Sequence, residues 1–291
     1  MKLHVIDGTY ELFRHYFAVP SARSVDGTEV GATRGLLRSL AMLLRGQDVS
    51  HAAVAFDHVI ESFRNQMLSS YKSSSGVEPE LLSQFPIAEE ATRALGLVVW
   101  PMVEFEADDA MASAAAKWSK RRSVDQVVLC SRDKDLAQCV EGDRVVMWDR
   151  MNDVIIDERK VIERWGIPSK SIPDYLALVG DSADGIPGIP RWGSKSAAAI
   201  LARYEHIENI PPFALSWDVK VRGALVLADN LRERMPEALL YKSLCTLRTD
   251  VPLCESLEDL RWRGAHRTQL QALCDRFGEK RLVEQIDKFA D

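Results

Sequence analysis

Along the first half of the chain, short runs of consecutive apolar residues alternate with longer stretches whose apolar residues recur at helical spacing. The apolar runs lie at residues 3–6, 52–56, 96–100, 126–130 and 144–148. The helical patterns lie at 31–44, 86–95 and 107–120. Near-continuous apolar strands that alternate with helices are typical of a parallel sheet covered on both faces, so this half predicts an α/β domain.

A different pattern begins near residue 161, where the strand signal stops and helical stretches punctuated by Gly and Pro follow. These predicted helices cover 172–179, 194–204, 218–231, 237–247 and 267–288. We therefore expect an α/β domain at 1–165 and a helical domain at 166–291. A polar stretch at 69–86 predicts a mobile loop or a marginal helix.

Composition narrows the class of protein. The 291 residues suit one large or two modest domains, and 46% hydrophobic residues are enough to bury a core. No apolar run approaches the roughly 20 residues that a membrane helix needs, and Asp7 comes too early for a signal peptide. The five cysteines are scattered without a zinc-site spacing, so we expect a reduced cytoplasmic protein.

The net charge separates two kinds of protein that act on nucleic acid. At a formal −6 the chain is unlike a protein that simply coats DNA, which would be basic. Carboxylates that bind metal count as negative until the ions arrive, so an acidic balance is compatible with a metal-dependent enzyme.

Acidic residues follow four of the predicted strands. They are Asp7 after the first strand, Asp57 after the second, Glu106, Asp108 and Asp109 after the third, and Asp133 and Asp135 after the fourth. Because ligands bind outside the carboxyl ends of strands in an open parallel sheet, these acids are expected to converge. Like charges within about 4–6 Å raise each other's pKa. Hard divalent cations such as Mg²⁺ or Mn²⁺ resolve that repulsion, and two ions about 3.5–4 Å apart are a standard device for phosphodiester cleavage.

Each acid alone has a simpler interpretation. A single Asp after a strand is most often a helix cap or a solvated turn residue. The run at 106–109 is also compatible with an acidic helix N-terminus that the macrodipole favours. The metal hypothesis therefore depends on the whole set lying at the edge of one sheet.

A Gly/Pro-rich turn at 180–193 separates two predicted helices. Gly188 and Gly193 would let backbone N–H groups approach a phosphate at the positive end of the following helix. Arg191 and Lys195 add positive charge. Asp181 and Asp184, in the same turn, are candidates to complete a metal site, and a plain helical hairpin without a ligand is an equally open interpretation.

Taken together, these motifs resemble the bacterial and phage 5′-nuclease (flap endonuclease) family, including the 5′-nuclease domain of DNA polymerase I. The matching segments are 5–8, 55–57, 63–64, 71–72, 106–109, 133–136, 174–178 and 180–184, in family order. The resemblance implies a PIN-like α/β nuclease domain and a helical domain whose helix–three-turn–helix, near 172–204, grips duplex DNA. The chain length predicts a free-standing member without a polymerase domain.

The resemblance also implies ligands and cofactors. It implies two-metal-ion hydrolysis of DNA with Mg²⁺ or Mn²⁺, and in many members a K⁺ ion at the helix–three-turn–helix. One metal site would contain Asp7, Asp57, Glu106, Asp108 and Asp109, and the other Asp133, Asp135 and Asp181, with Asp184 alongside.

The implied substrate is DNA with a 5′ flap or a 5′ end at a duplex junction, acted on by a monomer. Arg64 and Lys72 match catalytic basic residues at the base of an arch, near 60–86, through which the 5′ single strand passes. The implied duplex-binding residues are Gly188, Arg191, Gly193, Ser194 and Lys195.

The chain departs from the family pattern at three places. Arg132 stands where the family usually has Gly, and is expected either to clamp a phosphate or to slow metal loading. Gly185 replaces a common Asn, which we expect to be a mild change because both residues tolerate a left-handed backbone. Residues 73–76 are Ser-Ser-Ser-Gly where the family often has a further Arg.

Three alternatives compete with this assignment. A PIN-type RNase is usually shorter and lacks the Gly/Pro hairpin. A non-catalytic DNA-junction binder would be expected to have lost metal acids, which this chain retains. A Rossmann-like cofactor enzyme is disfavoured because no Gly-x-Gly-x-x-Gly follows the first strand.

Overall fold

The computed structural model describes residues 1–46, 49–279 and 281–290. Its centre is a six-stranded sheet with the strand order β3-β2-β1-β4-β5-β6. The strands are β1 Lys2–Asp7, β2 His51–Asp57, β3 Val98–Met102, β4 Gln126–Cys130, β5 Val145–Asp149 and β6 Val154–Ile156. The first five are parallel, so their carboxyl ends meet at one edge, and β6 pairs antiparallel with β5.

Twelve α-helices are assigned within the described residues. They are α1 Gly8–Ala18, α2 Gly31–Leu44, α3 Arg64–Met67, α4 Pro79–Leu82, α5 Gln84–Ala94, α6 Ala107–Trp118, α7 Glu158–Trp165, α8 Ile172–Val179, α9 Ser194–Tyr204, α10 Ala224–Glu233, α11 Met235–Cys245 and α12 Arg267–Phe277. None of the described helices is both long and apolar enough to cross a membrane.

Helices cover both faces of the sheet, as the continuous apolar strands predict. On one face α1, α2 and α5 bury Leu12, Leu36 and Phe85 against the sheet, and Leu270 of α12 joins the same core. On the other face α6 begins a core that continues without interruption into α8–α11. The apolar core therefore crosses the expected domain boundary at 165/166, which stays a prediction.

The observed elements differ from the predicted ones where glycines take positive φ values. The strand expected from residue 96 begins at Val98, because Gly96 has φ +77°. The helix expected from 218 begins at Ala224, after Gly223. The helix expected at 267–288 ends at Phe277, where Gly278 has φ +71°, and Lys280 lies outside the described residues. In each case a glycine with a left-handed backbone lies at or near the boundary of the regular element: Gly96 and Gly223 before it, and Gly278 after it.

The expected arch, near 60–86, is tied to the rest of the molecule. It contains the short helices α3 and α4 and the first turn of α5. The Phe63 N–H donates to the Glu104 carbonyl at 2.9 Å, and Tyr71 is buried. Strand β6 was not predicted, because its first two residues are exposed and it is only three residues long.

Candidate metal-dependent active site

The carboxyl edge of the sheet carries the predicted acids, and local hydrogen bonds orient them. Asp7 caps α1 by accepting from the Tyr10 N–H, and its other oxygen accepts from the Ser131 hydroxyl, both at 2.8 Å. Asp57 accepts from the Ala107 N–H at 2.7 Å. Asp7 is thus a helix cap and lies beside the other acids at the same time, so the two interpretations do not exclude each other.

Three carboxylates form a compact set that we call the Asp135 group. Asp135, Asp181 and Asp184 each offer an oxygen, and these oxygens lie within 4.8 Å of one another. Reciprocal backbone hydrogen bonds between Asp181 and Ile186 close the turn that brings Asp184 back towards Asp181. One oxygen of Asp135 is buried without a hydrogen-bond partner in the described part of the chain. An oxygen-only set of this kind is suited to a hard divalent cation.

Burial and mutual repulsion disturb the ionisation of these acids. Burial, with smaller contributions from Asp57 and Asp133, raises the pKa of Asp7 to about 7. Burial and neighbouring carboxylates also raise the pKa values of Asp108 and Asp135 well above the usual range, and that of Asp184 to about 6. The protein surroundings alone therefore do not keep all of these carboxyl groups ionised, and bound cations would stabilise their charged forms.

A second set, the Arg64 group, consists of Arg64, Glu106 and Asp109 and is neutralised internally. The Arg64 side chain is 1% exposed, and its guanidinium binds both Asp109 oxygens at 2.7 Å and Glu106 at 2.9 Å. Its Nε donates to the Leu244 carbonyl at the end of α11. Glu106 and Asp109 also form a capping box at the start of α6.

The structure differs from the expected roles at Arg64 and Asp109. Arg64 faces carboxylates and backbone carbonyls inside the protein, where a DNA strand cannot reach its guanidinium. Asp109 is fully buried and accepts from Arg64 and from the N–H groups of Glu106 and Arg248. Its oxygens are already satisfied, so it is not available as a metal ligand in this arrangement.

Lys72 lies inside the acidic cluster. Its ammonium is 2.5 Å from Glu106, and its backbone N–H donates to the Asp184 carbonyl at 3.1 Å. Burial disfavours the ammonium, but Asp57, Glu106 and Asp184 hold its pKa well above the usual value. Lys72 is therefore a cation at the carboxyl edge, within reach of several predicted ligands.

Contact between residues 70–72 and the turn at 184–185 holds Lys72 in place. Gly185 has φ +71°, and a Cβ there would lie 1.9 Å from the Ser70 carbonyl oxygen. The Ser70 hydroxyl donates to the Gly185 carbonyl at 3.2 Å. Replacement of the usual Asn by Gly185 is thus not a mild change here, because a side chain at this position would push the two segments apart.

The α8–α9 turn exposes most of the predicted duplex-binding residues. Arg191, Gly193, Ser194 and Lys195 are exposed at the start of α9, and Gly193 is its N-cap. Gly188 is instead buried, and a Cβ there would lie 2.5 Å from the Gly180 nitrogen. Gly188 therefore serves the packing of the turn rather than direct phosphate contact.

Two residues near the cluster were not assigned by sequence reasoning. The Lys134 ammonium is 2.5 Å from Asp181, a contact signalled only by its position between Asp133 and Asp135. Ser131 holds Asp7, and no sequence signal distinguished it. Arg132 forms an ion pair with Asp149 at 3.1 Å, so in this structure it is anchored to the end of β5.

Comparisons with known proteins identify the family. A model of the 5′-3′ exonuclease N-terminal resolvase-like domain matches residues 2–166, and one of the 5′-3′ exonuclease C-terminal SAM fold matches residues 167–268. The 5′-3′ exonuclease of Aquifex aeolicus is 31% identical over 287 residues, which are 98% of this chain and 95% of that protein. DNA polymerase I of Rhizobium leguminosarum is 37% identical over 89% of this chain, which spans only 26% of the polymerase.

Solved structures agree on the fold. A bacteriophage T5 5′-exonuclease with bound zinc has a TM-score of 0.69 at 18% identity, over 86% of this chain and 90% of that one. The catalytic core of Rad2 in complex with DNA has a TM-score of 0.62 at 14% identity, over 97% of this chain and 90% of that one. The predicted fold class, a parallel-sheet nuclease domain with a helical domain, is confirmed. The chain therefore belongs to the 5′-3′ exonuclease family of metal-dependent nucleases.

Proposed function

We propose that the chain hydrolyses phosphodiester bonds of DNA at 5′ flaps and at 5′ ends beside a duplex, using two Mg²⁺ or Mn²⁺ ions. The observation that carries this proposal is the Asp135 group, whose three carboxylate oxygens lie within 4.8 Å of one another beside further buried acids. We assign one ion to Asp135, Asp181 and Asp184. The other is assigned to Asp7, Asp57, Asp108 and Glu106, with Asp133 between the two sets.

The ions would supply charge neutralisation on the phosphate and a more acidic bound water. The remaining work falls to side chains of the chain itself. Lys72 would hold an ammonium against the scissile phosphate and stabilise charge that develops in the transition state. Ser131 and the Tyr10 N–H keep Asp7 oriented. Arg64 would act through Glu106 as a positioning residue, since it holds Glu106 and the start of α6 in place.

Duplex binding is assigned to the start of α9. Arg191 and Lys195 offer cations there, and residues 193–195, which are exposed, offer backbone N–H donors to a phosphate. Binding of a K⁺ ion at this turn is part of the proposal. Action as a monomer is also part of the proposal. The five cysteines are all free thiols, which supports a cytoplasmic location.

Product mapping tests the activity. A 5′-labelled flap duplex and a single-stranded RNA of the same sequence would be incubated with Mg²⁺, with Mn²⁺ or with EDTA. We expect cleavage of the flap near its junction with the duplex, no cleavage in EDTA, and little cleavage of the RNA. Preferential cleavage of RNA would favour a PIN-type RNase, and tight flap binding without cleavage in either metal would favour a junction binder.

A further inference from the structure

Lys134 is a cation built into the proposed ligand set. It follows Asp133 and precedes Asp135 in the short 3₁₀ helix Lys134–Cys139, whose N-cap is Asp133. Its ammonium lies 2.5 Å from a side-chain oxygen of Asp181, which is 5% exposed, whereas Lys134 itself is 38% exposed. The flexible end of the lysine therefore reaches from solvent onto a buried carboxylate of the Asp135 group.

A nearby positive charge would stabilise the Asp135 group, because its carboxylates repel one another. Its oxygens are close together, and one Asp135 oxygen has no hydrogen-bond partner in the described ranges. The charges of Asp135 and Asp133 also stabilise the ammonium of Lys134. A single ammonium offers one positive charge, so it neutralises three carboxylates less completely than a divalent ion does.

We propose that Lys134 is an internal counter-ion of the Asp135 group, which it neutralises in part until a divalent cation binds and displaces it from Asp181. Lys134 thereby lowers the divalent-ion affinity of this group and sets the ion concentration at which it fills. The inference rests on the proposed function, because it takes the Asp135 group to be a metal site.

The contrast with Arg64 explains why the lysine is suited to this role. Arg64 is buried, bidentate and tied to the Leu244 carbonyl, so it cannot leave its carboxylates. Lys134 makes one ion-pair contact from a partly exposed position, and its four-carbon stem lets the ammonium swing into water. Moving it away breaks an ion pair that is partly exposed on the lysine side, whereas the Arg64 ion pairs are buried on both sides.

Metal binding in the absence of DNA tests this role directly. Calorimetric titration of the full chain with Mn²⁺ would be compared for the parent, Lys134→Met, Lys134→Gln and Lys134→Arg. We expect Lys134→Met and Lys134→Gln to lower the dissociation constant by about three- to tenfold, because a nearby positive charge is removed. Lys134→Arg should bind Mn²⁺ like the parent or more weakly.

Lys170→Met is the matched control, because Lys170 forms a similar ion pair with Glu205 at 2.8 Å in an exposed position. It should leave the Mn²⁺ dissociation constant unchanged. Thermal unfolding is a second readout. In EDTA, Lys134→Met should unfold at a lower temperature than the parent. Saturating Mn²⁺ should raise the unfolding midpoint of Lys134→Met by more than it raises that of the parent. Circular dichroism would confirm folding, and Lys134→Gln carries the test if Lys134→Met does not fold.

The outcomes separate this inference from the proposed function. Mn²⁺ binding that Asp135→Asn weakens, with equal affinity in the parent, Lys134→Met and Lys134→Gln, would overturn the counter-ion role alone. A parent that binds no Mn²⁺, or binds it equally well after Asp135→Asn, would overturn both the metal site and the inference.

Discussion

The Arg64 group and the Asp135 group place carboxylates beside each other in opposite electrostatic states. In the Arg64 group, Glu106 and Asp109 are matched by a buried guanidinium, which together with Lys72 holds the pKa of Glu106 below its usual value against the effect of burial. In the Asp135 group, burial and like charges raise the pKa values of Asp135 and Asp184. Acids from one edge of one sheet therefore divide into a set whose charge is matched by cations of the chain and a set whose charge is not, and Glu106 of the matched set also lies among the proposed metal ligands.

The cations of the two groups account for the difference. Arginine remains charged and offers a planar fork, so it can neutralise two buried carboxylates permanently. It also links α6 to the end of α11 through the Leu244 carbonyl, so the Arg64 group connects the sheet half to the helical half. Among the described residues, the Asp135 group has an ion pair with a partly exposed lysine on one of its members, Asp181, and the charge of Lys72 near Asp184. The Arg64 group is thus neutralised within the protein, and it lies beside the Asp135 group, whose carboxylates are incompletely paired.

Removing the cation of the structural set should have the largest effect. Arg64→Leu leaves Asp109 and Glu106 buried without their partner, so we expect the free energy of unfolding to fall by about 3–5 kcal/mol. Urea unfolding in EDTA measures this loss. The double variant Arg64→Leu with Asp109→Leu should recover part of the stability, and equal stability of Arg64→Leu and the parent would contradict the buried ion-pair assignment.

Neutralising one acid in each group should give opposite results. Asp135→Asn should leave the metal-free protein as stable as the parent or more stable, because repulsion falls, and should slow flap cleavage by about a hundredfold or more. Asp109→Asn should instead lower the free energy of unfolding in EDTA, because Arg64 loses its charged partner. Single-turnover rates and urea unfolding would be measured on both variants. A loss of stability in Asp135→Asn together with unchanged stability in Asp109→Asn would mean that the two roles are exchanged.

A smaller effect is expected on the pH dependence of stability. The pKa of Asp7 is about 7 in the folded chain, above its usual 3.8, so folding is favoured by protonation and stability falls as pH rises towards 7. Between pH 6 and pH 8 the metal-free protein should lose about 1 kcal/mol from this group. Thermal unfolding in EDTA should show the loss, and Asp7→Asn should reduce it. Saturating Mg²⁺ should be less effective at pH 6 than at pH 8, because protons compete with the ion.

The smallest effects are expected at the start of α9, away from both groups. Lys195→Ala should weaken duplex binding similarly across sequences and make the slope of log affinity against log salt shallower by at most about one. Gly193 has φ −102° and open space around its Cβ position, so Gly193→Val should fold and weaken binding only by shielding N–H groups. Affinities at several salt concentrations measure both changes. A large fall in the single-turnover rate at saturating DNA would contradict a pure binding role.

Local sequence was sufficient for the fold class, the family and the set of acids at the carboxyl edge. Apolar runs and helical periodicity are properties of neighbouring residues, so the strand Gln126–Cys130 and the helices Gly31–Leu44 and Ser194–Tyr204 were predicted with the bounds that the structure has. The position of an acid directly after a strand is also local, and parallel pairing then brings Asp7, Asp57 and their counterparts together.

Tertiary structure determined which partner each charged side chain contacts. The sequence predicted Arg64 to be a catalytic residue at the base of the arch, yet its partners include Leu244, 180 positions away along the chain. Gly188 looked like a phosphate-binding glycine, yet it packs against Gly180. Whether a charged side chain faces water, an ion or another charge depends on the packing of distant segments, and burial then sets its pKa. That information lies in contacts between segments, and no local pattern of residues contains it.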